Sequence, residues 1–124
     1  MNREKFEWLV TQAVDSLPKE FRSRLENIDI VVQDKATPGQ LAEVGMKRNE
    51  SLLGLYEGVP LTRRSHSYGM VVPDKITIFQ KSIEAICNND TRVIAEVRRV
   101  VYHEIAHHFG VSDTRLEQLE RNGD

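Results

Sequence analysis

Residues 100 to 113 read V-V-Y-H-E-I-A-H-H-F-G-V-S-D, and the eleven positions from His103 to Asp113 hold three histidines and two carboxylates. His103 and His107 stand four apart, so on a helix turning roughly 100° per residue they project from neighbouring positions one turn apart. Two imidazoles placed this way can present nitrogens to one zinc ion (Zn2+) at about 2.0 to 2.1 Å, and a glutamate directly after the first of them, Glu104, lies beside the metal's open position. Two imidazoles hold zinc poorly, so a third donor is needed. Gly110 stops the helix, and the turn there would let the Asp113 carboxylate swing back toward the ion. The reading is therefore His103, His107 and Asp113 as metal ligands, a water in the fourth position, and Glu104 as the base that acts on it. Asp113 has a second reading, because an aspartate just before TRLEQLE is also a natural N-cap for a last helix.

The element that carries these residues must be a long helix over NNDTRVIAEVRRVVYHEIAHHFG, capped at its start by Asn89 or Asp90. On its helical wheel Val93, Ile94, Val97, Val100, Val101 and Ile105 fill one arc, with Arg92, Glu96 and Arg99 opposite. Glu104 falls inside the apolar arc. A carboxylate there is costly unless it is paired or faces a cavity, and a cleft holding metal and water supplies both. His108 falls near the middle of the same arc and is expected to be a buried histidine, hydrogen-bonded in the core or behind the ligands. Glu96 reads as a solvated surface residue.

Upstream, Phe6, Leu9, Val10, Ala13, Val14 and Leu17 recur at helical spacing over residues 4 to 17, and Pro18 starts a short second helix with Phe21 and Leu25. IDIVVQ (28 to 33) is rich in β-branched residues and predicts a strand. Residues 34 to 51 read as a long connection with one turn of helix at Gln40 to Val44, and as a loop that could gate a site. LLGLYEG (52 to 58) is a second strand candidate. KITIF (75 to 79) is the clearest strand, and its place in the order suggests an edge strand able to hold an extended peptide by strand addition. Residues 81 to 87 form a helical turn, and VSDTRLEQLERNGD adds a final helix with Thr114 and Glu117 as a capping box.

The 124 residues, 40% hydrophobic and 29% charged, suit one domain over residues 1 to 124. No apolar run reaches the roughly 20 residues of a membrane helix, and MNREKFEWLV has charges where a signal peptide needs its apolar core. With Cys87 the single cysteine, this points to a cytoplasmic protein without disulfides. A formal net charge of -2 gives no general pull toward nucleic acid or anionic lipid.

The whole string H-E-I-A-H-H-F-G-V-S-D fits HExxHxxGxxD and resembles the small zincin-like metallopeptidases described as minimal zincins. LLGLYEGVPLTRRS (52 to 65) and PDKITIFQKSIE (73 to 84) look like the same family's pattern. The resemblance implies an α+β fold in which a small mixed sheet packs on a long active-site helix, with N-terminal and C-terminal helices. It also implies zinc held by His103, His107 and Asp113, Glu104 as catalytic base, and a peptide or protein substrate. Tyr56, His66 and Tyr68 could reach the cleft as partners for an oxyanion, or be packing and loop surface.

Two other functions fit the same ligands. The spacing from His103 through His107 to Asp113 also resembles the H-x3-H-x5-H arrangement of small bacterial endoribonucleases, in which a third histidine stands where Asp113 does. A basic groove from Lys47, Arg48, Arg63 and Arg64 would favour RNA, whereas Glu104 and the acidic balance favour the peptidase. A zinc-stabilised binding module without catalysis is the other reading, and a closed site would mark it.

Overall fold

In the computed structural model, which describes residues 1–47, 51–58 and 74–109, the chain begins with helix α1, Arg3–Asp15. The Asn2 side chain caps it by accepting from the Lys5 N–H at 2.8 Å, and Phe6, Leu9, Val10 and Ala13 form its buried stripe. Helix α2, Lys19–Arg24, follows Pro18, which stands just before the helix as its cap. Strand β1 spans Ile28–Gln33, the range its β-branched run predicts. Helix α3, Pro38–Glu43, starts two residues earlier than Gln40, because Thr37 and Gln40 close a capping box around its first turn. Strand β2 is Gly54–Glu57, strand β3 Asp74–Phe79, helix α4 Gln80–Ile86 and helix α5 Asp90–Phe109. Asn89 caps α5, its Oδ1 accepting from the Arg92 N–H at 2.9 Å. Gly110 and the expected C-terminal helix lie outside the described residues. No helix among those described is long and apolar enough to cross a membrane.

The three strands form one mixed sheet in the order β1-β3-β2, with β1 parallel and β2 antiparallel to β3. This corrects the expectation for KITIF. Paired on both sides, β3 is the central strand and has no edge for a peptide; among the described residues the edges are β1 and β2. The reason lies in burial: Ile76, Thr77, Ile78 and Phe79 are all inaccessible to solvent, which only a central strand covered on both faces permits.

Alternation assigns the faces. Ile30, Ile76 and Ile78 join α1 and α5 in the main core, where Phe6, Leu9 and Ala13 meet Val93, Val97, Val101 and Ile105. Phe21 of α2 closes it with an edge-on contact to Tyr102, ring centroids 4.7 Å apart. On the other face Leu55, Thr77 and Phe79 are buried, as are Gln40 and Leu41 of α3. The Gln40 amide donates to Gln33 Oε1 at 3.3 Å and to Glu57 Oε1 at 3.1 Å, tying α3 to both edge strands.

Thr77 is fully buried, yet its hydroxyl has no hydrogen-bond partner among the described residues. An unmet buried hydroxyl carries its whole desolvation cost, so Thr77→Val, nearly the same shape, is expected to stabilise the protein by about 1 kcal/mol. A urea midpoint that falls in the variant would contradict this.

Candidate metal and catalytic site

The site begins with how close β2 comes to α5. A Cβ added at Gly54 would collide with Val100 Cγ1 and lie 3.2 Å from the Thr77 carbonyl oxygen, so only glycine lets the strand settle there. Phe79 N–H donates to Leu53 O at 3.0 Å. In an antiparallel pair this sets the phase: residues 53, 55 and 57 bond toward β3, and 54 and 56 turn their backbone groups to the outer edge. From that edge the Tyr56 N–H donates to Glu104 Oε1 at 2.8 Å.

This bond answers why a carboxylate stands on the apolar arc of α5. Burial pushes the Glu104 carboxyl above its ordinary range, while the Tyr56 N–H and then the charges of His107 and His103 pull it back. Burial wins. Because the folded value is raised, the stability that Glu104 contributes is fully present below the unfolded carboxylate pKa and is lost as pH rises through the folded value. The metal-free protein should therefore lose stability through this group as pH rises above the ordinary carboxylate range, and Glu104→Gln should flatten that part of the profile. Thermal melts at stepped pH, on wild type and variant, measure it; identical slopes would contradict the assignment.

Tyr56 does more than offer its backbone. Its ring stacks on His108 with centroids 3.9 Å apart and planes 15° from parallel, and its hydroxyl donates to Asp74 Oδ2 at 2.6 Å. His108 is thus not the core histidine that its place on the wheel suggests. It is exposed. The buried residues of α5 end at Ala106, so the last turn runs past the core and its apolar side meets the Tyr56 ring. Periodicity shows which side of a helix faces inward, but not where the cover stops.

His103 and His107 lie side by side, ring centroids 6.1 Å apart and planes at 60°. His103 is half-buried and His107 exposed. The gap leaves room for an ion needing about 2.0 to 2.1 Å to each nitrogen. Among the described residues no group of three histidines, cysteines or acids converges on such a point. The described part of the chain thus offers two imidazoles, neighbours on α5, and a metal held there would need a third donor from outside the described residues. Asp113 lies outside the described residues, as do Arg48, Arg63, Arg64, His66 and Tyr68. Glu96, two turns before His103 on nearly the same line of the helix, pairs with Arg99 and is half-buried, with only 19% of its side chain exposed, not the solvated residue its position suggests.

The sequence offers Tyr56 as packing or an oxyanion partner, and neither reading includes its backbone bond to Glu104 or its hydroxyl bond to Asp74. Tyr56 and Gly54 stand two apart on a strand. A glycine there marks close backbone approach, and that signal was available.

The fold is similar to that of a conserved hypothetical protein from Thermus thermophilus, with a TM-score of 0.55 and 22% identity over 88% of this chain and 94% of that one. No curated protein matches the chain. The model of the zincin-like metallopeptidases matches residues 25–123, from the end of α2 through β1, β2, β3 and the whole of α5, and so the chain belongs to that family.

Proposed function

We propose that the chain is a zinc-dependent peptidase, a single domain over residues 1 to 124 that works in the cytoplasm on peptide or protein substrates. His103, His107 and Asp113 are its metal ligands and Glu104 its general base. The observation that carries this reading is the Glu104 carboxylate, held by an edge-strand N–H beside two imidazoles one helical turn apart. Membership in the zincin-like metallopeptidase family supports the metal and the reaction class.

Zinc, when bound, supplies a Lewis acid that acidifies water and polarises a carbonyl. The chain supplies the rest. His103 and His107 donate as neutral imidazoles, so occupancy should fall in acid. Glu104 keeps Oε1 on the Tyr56 N–H and uses Oε2 to take a proton from the attacking water and hand it to the leaving nitrogen. The raised affinity of that carboxyl for a proton suits a group that must hold one between two steps. An extended peptide reaches this base along the outer edge of β2, the strand that borders Glu104.

A peptide library and a mixed-sequence RNA, incubated side by side with wild type and Glu104→Gln, test the proposal. Expected is cleavage of peptides by wild type alone. Cleavage of RNA by wild type, or peptide turnover that survives the substitution, would sink it.

A further inference from the structure

A cleft of about 500 Å³ opens on the side of α5 turned away from the two imidazoles. On a helix turning roughly 100° per residue, Arg98 of this cleft stands about 180° from His107 and about 120° from Glu104. Ile94, Ala95 and Tyr102 give the cleft its apolar wall, and Arg98 and Arg99 bring two guanidinium groups to it. Thr91, in the first turn of α5, and Ser16, just past the end of α1, add hydroxyls. No carboxylate lines it. Ile94 is only half-buried and Ala95 is exposed, so an apolar strip of the helix lies open beside the positive charge.

The two arginines differ in what holds them. Arg99 is paired with Glu96, its Nε donating to that carboxylate at 3.2 Å. Arg98 enters no ion pair among the described residues. Its Nη2 donates to the neutral Tyr102 hydroxyl at 3.2 Å, with the guanidinium carbon 5.5 Å from the centre of that ring. Its Nε is shielded from solvent and has no hydrogen-bond partner among the described residues. A half-buried guanidinium with a donor that neither protein nor water satisfies is unfavourable, and an anion brought to it would relieve that.

We propose that this cleft binds a small amphipathic carboxylate, its charged end on the Arg98 guanidinium and its apolar body along Ile94 and Ala95. The charge of the walls selects the head group, since two cations and no acid line the cleft. A carboxylate matches the guanidinium fork in plane and spacing, and can take the Nε–H together with a neighbouring Nη–H. The body is apolar because the strip beside the arginines offers little to bond with: the Ser16 hydroxyl already donates to Ala13 O at 2.7 Å. The volume suits a small molecule, whose sites run from about 300 to 1,000 Å³. A free organic acid and the C-terminus of a short peptide share this chemistry. The site uses neither His103, His107 nor Glu104, so it is independent of metal and of peptidase activity.

The probe is hydrocinnamate, titrated into the ¹⁵N-labelled full chain. Saturable shifts are expected at Thr91, Ile94, Ala95 and Arg98. Arg98→Met, which keeps an apolar stem and loses the charge, should weaken binding by about tenfold. Ala95→Leu, at an exposed position where leucine suits a helix, narrows the cleft and should also weaken it. Phenethylamine, which carries an ammonium in place of the carboxylate, should not bind, and acetate at the same concentration should not reproduce the shifts. The peptide Ala-Ala-Phe with a free C-terminus separates the two sources: tighter binding than hydrocinnamate assigns the site to peptide ends, weaker binding assigns it to free acids, and each supports the site. Unchanged binding in Arg98→Met, equal binding by phenethylamine, equal shifts with acetate, or shifts centred on His103 and Glu104 would each overturn the proposal.

Discussion

Glu104→Gln should leave zinc content unchanged and lower peptide turnover by about 10² to 10⁴-fold, the usual contribution of a positioned general base. His103→Ala should lose both. The contrast follows from where the two side chains stand. His103 and His107 are the adjacent imidazoles on α5, and removing one leaves a single donor from the described part of the site. Glu104 is bound by the Tyr56 N–H, and glutamine keeps an oxygen able to accept that same bond, so the helix and strand should stay together while the base is lost. Elemental analysis by mass spectrometry on protein purified without added metal, followed by single-peptide kinetics, reads both quantities on one preparation. Unchanged metal in His103→Ala would remove the proposed ligand set. Unchanged turnover in Glu104→Gln with zinc in place would remove the proposed base and leave the metal a structural role.

Much of the site was legible because it sits on one helix. The spacing of His103, Glu104 and His107 needs no tertiary knowledge, and the apolar arc from Val93 to Ile105 shows which way the helix must face. Glu104 was visibly out of place on that arc, yet its partner was not visible, because the Tyr56 N–H is 48 residues away in sequence. The end of the core beneath His108 was hidden for the same reason, since it depends on where β2 stops.

The strands show a similar division. Local composition located β1, β2 and β3, but pairing is a long-range property. KITIF looked like an edge strand by order, whereas the parallel ladder with β1 and the antiparallel ladder with β2 put it in the centre. That exchange matters to function, because it moves the accessible backbone from β3 to β2, beside Glu104. Asp113 belongs to neither class: its role rests on sequence spacing and family resemblance.

The contact that joins fold to chemistry is Gly54 against Val100, and Gly54→Ala should break it. In an ordinary strand this change would help, since alanine loses less backbone entropy than glycine by about 0.5 to 1 kcal/mol. Here the new methyl would stand far inside contact distance of Val100 Cγ1, and β-branched valine has little χ1 freedom with which to yield. Overpacking of this kind costs about 1 to 3 kcal/mol, so destabilisation should win, read as a lower urea midpoint at unchanged slope. Val100→Ala in the same chain should recover part of the loss, and the double-mutant cycle isolates the contact. The second readout is catalytic. Pushing β2 away from α5 draws the Tyr56 N–H off Glu104 Oε1, so turnover should fall more than the folded fraction does, and the double variant should restore it. A variant as stable as wild type would show that the strand can shift without cost; a stable variant with full turnover would show that the Tyr56 bond does not position the base.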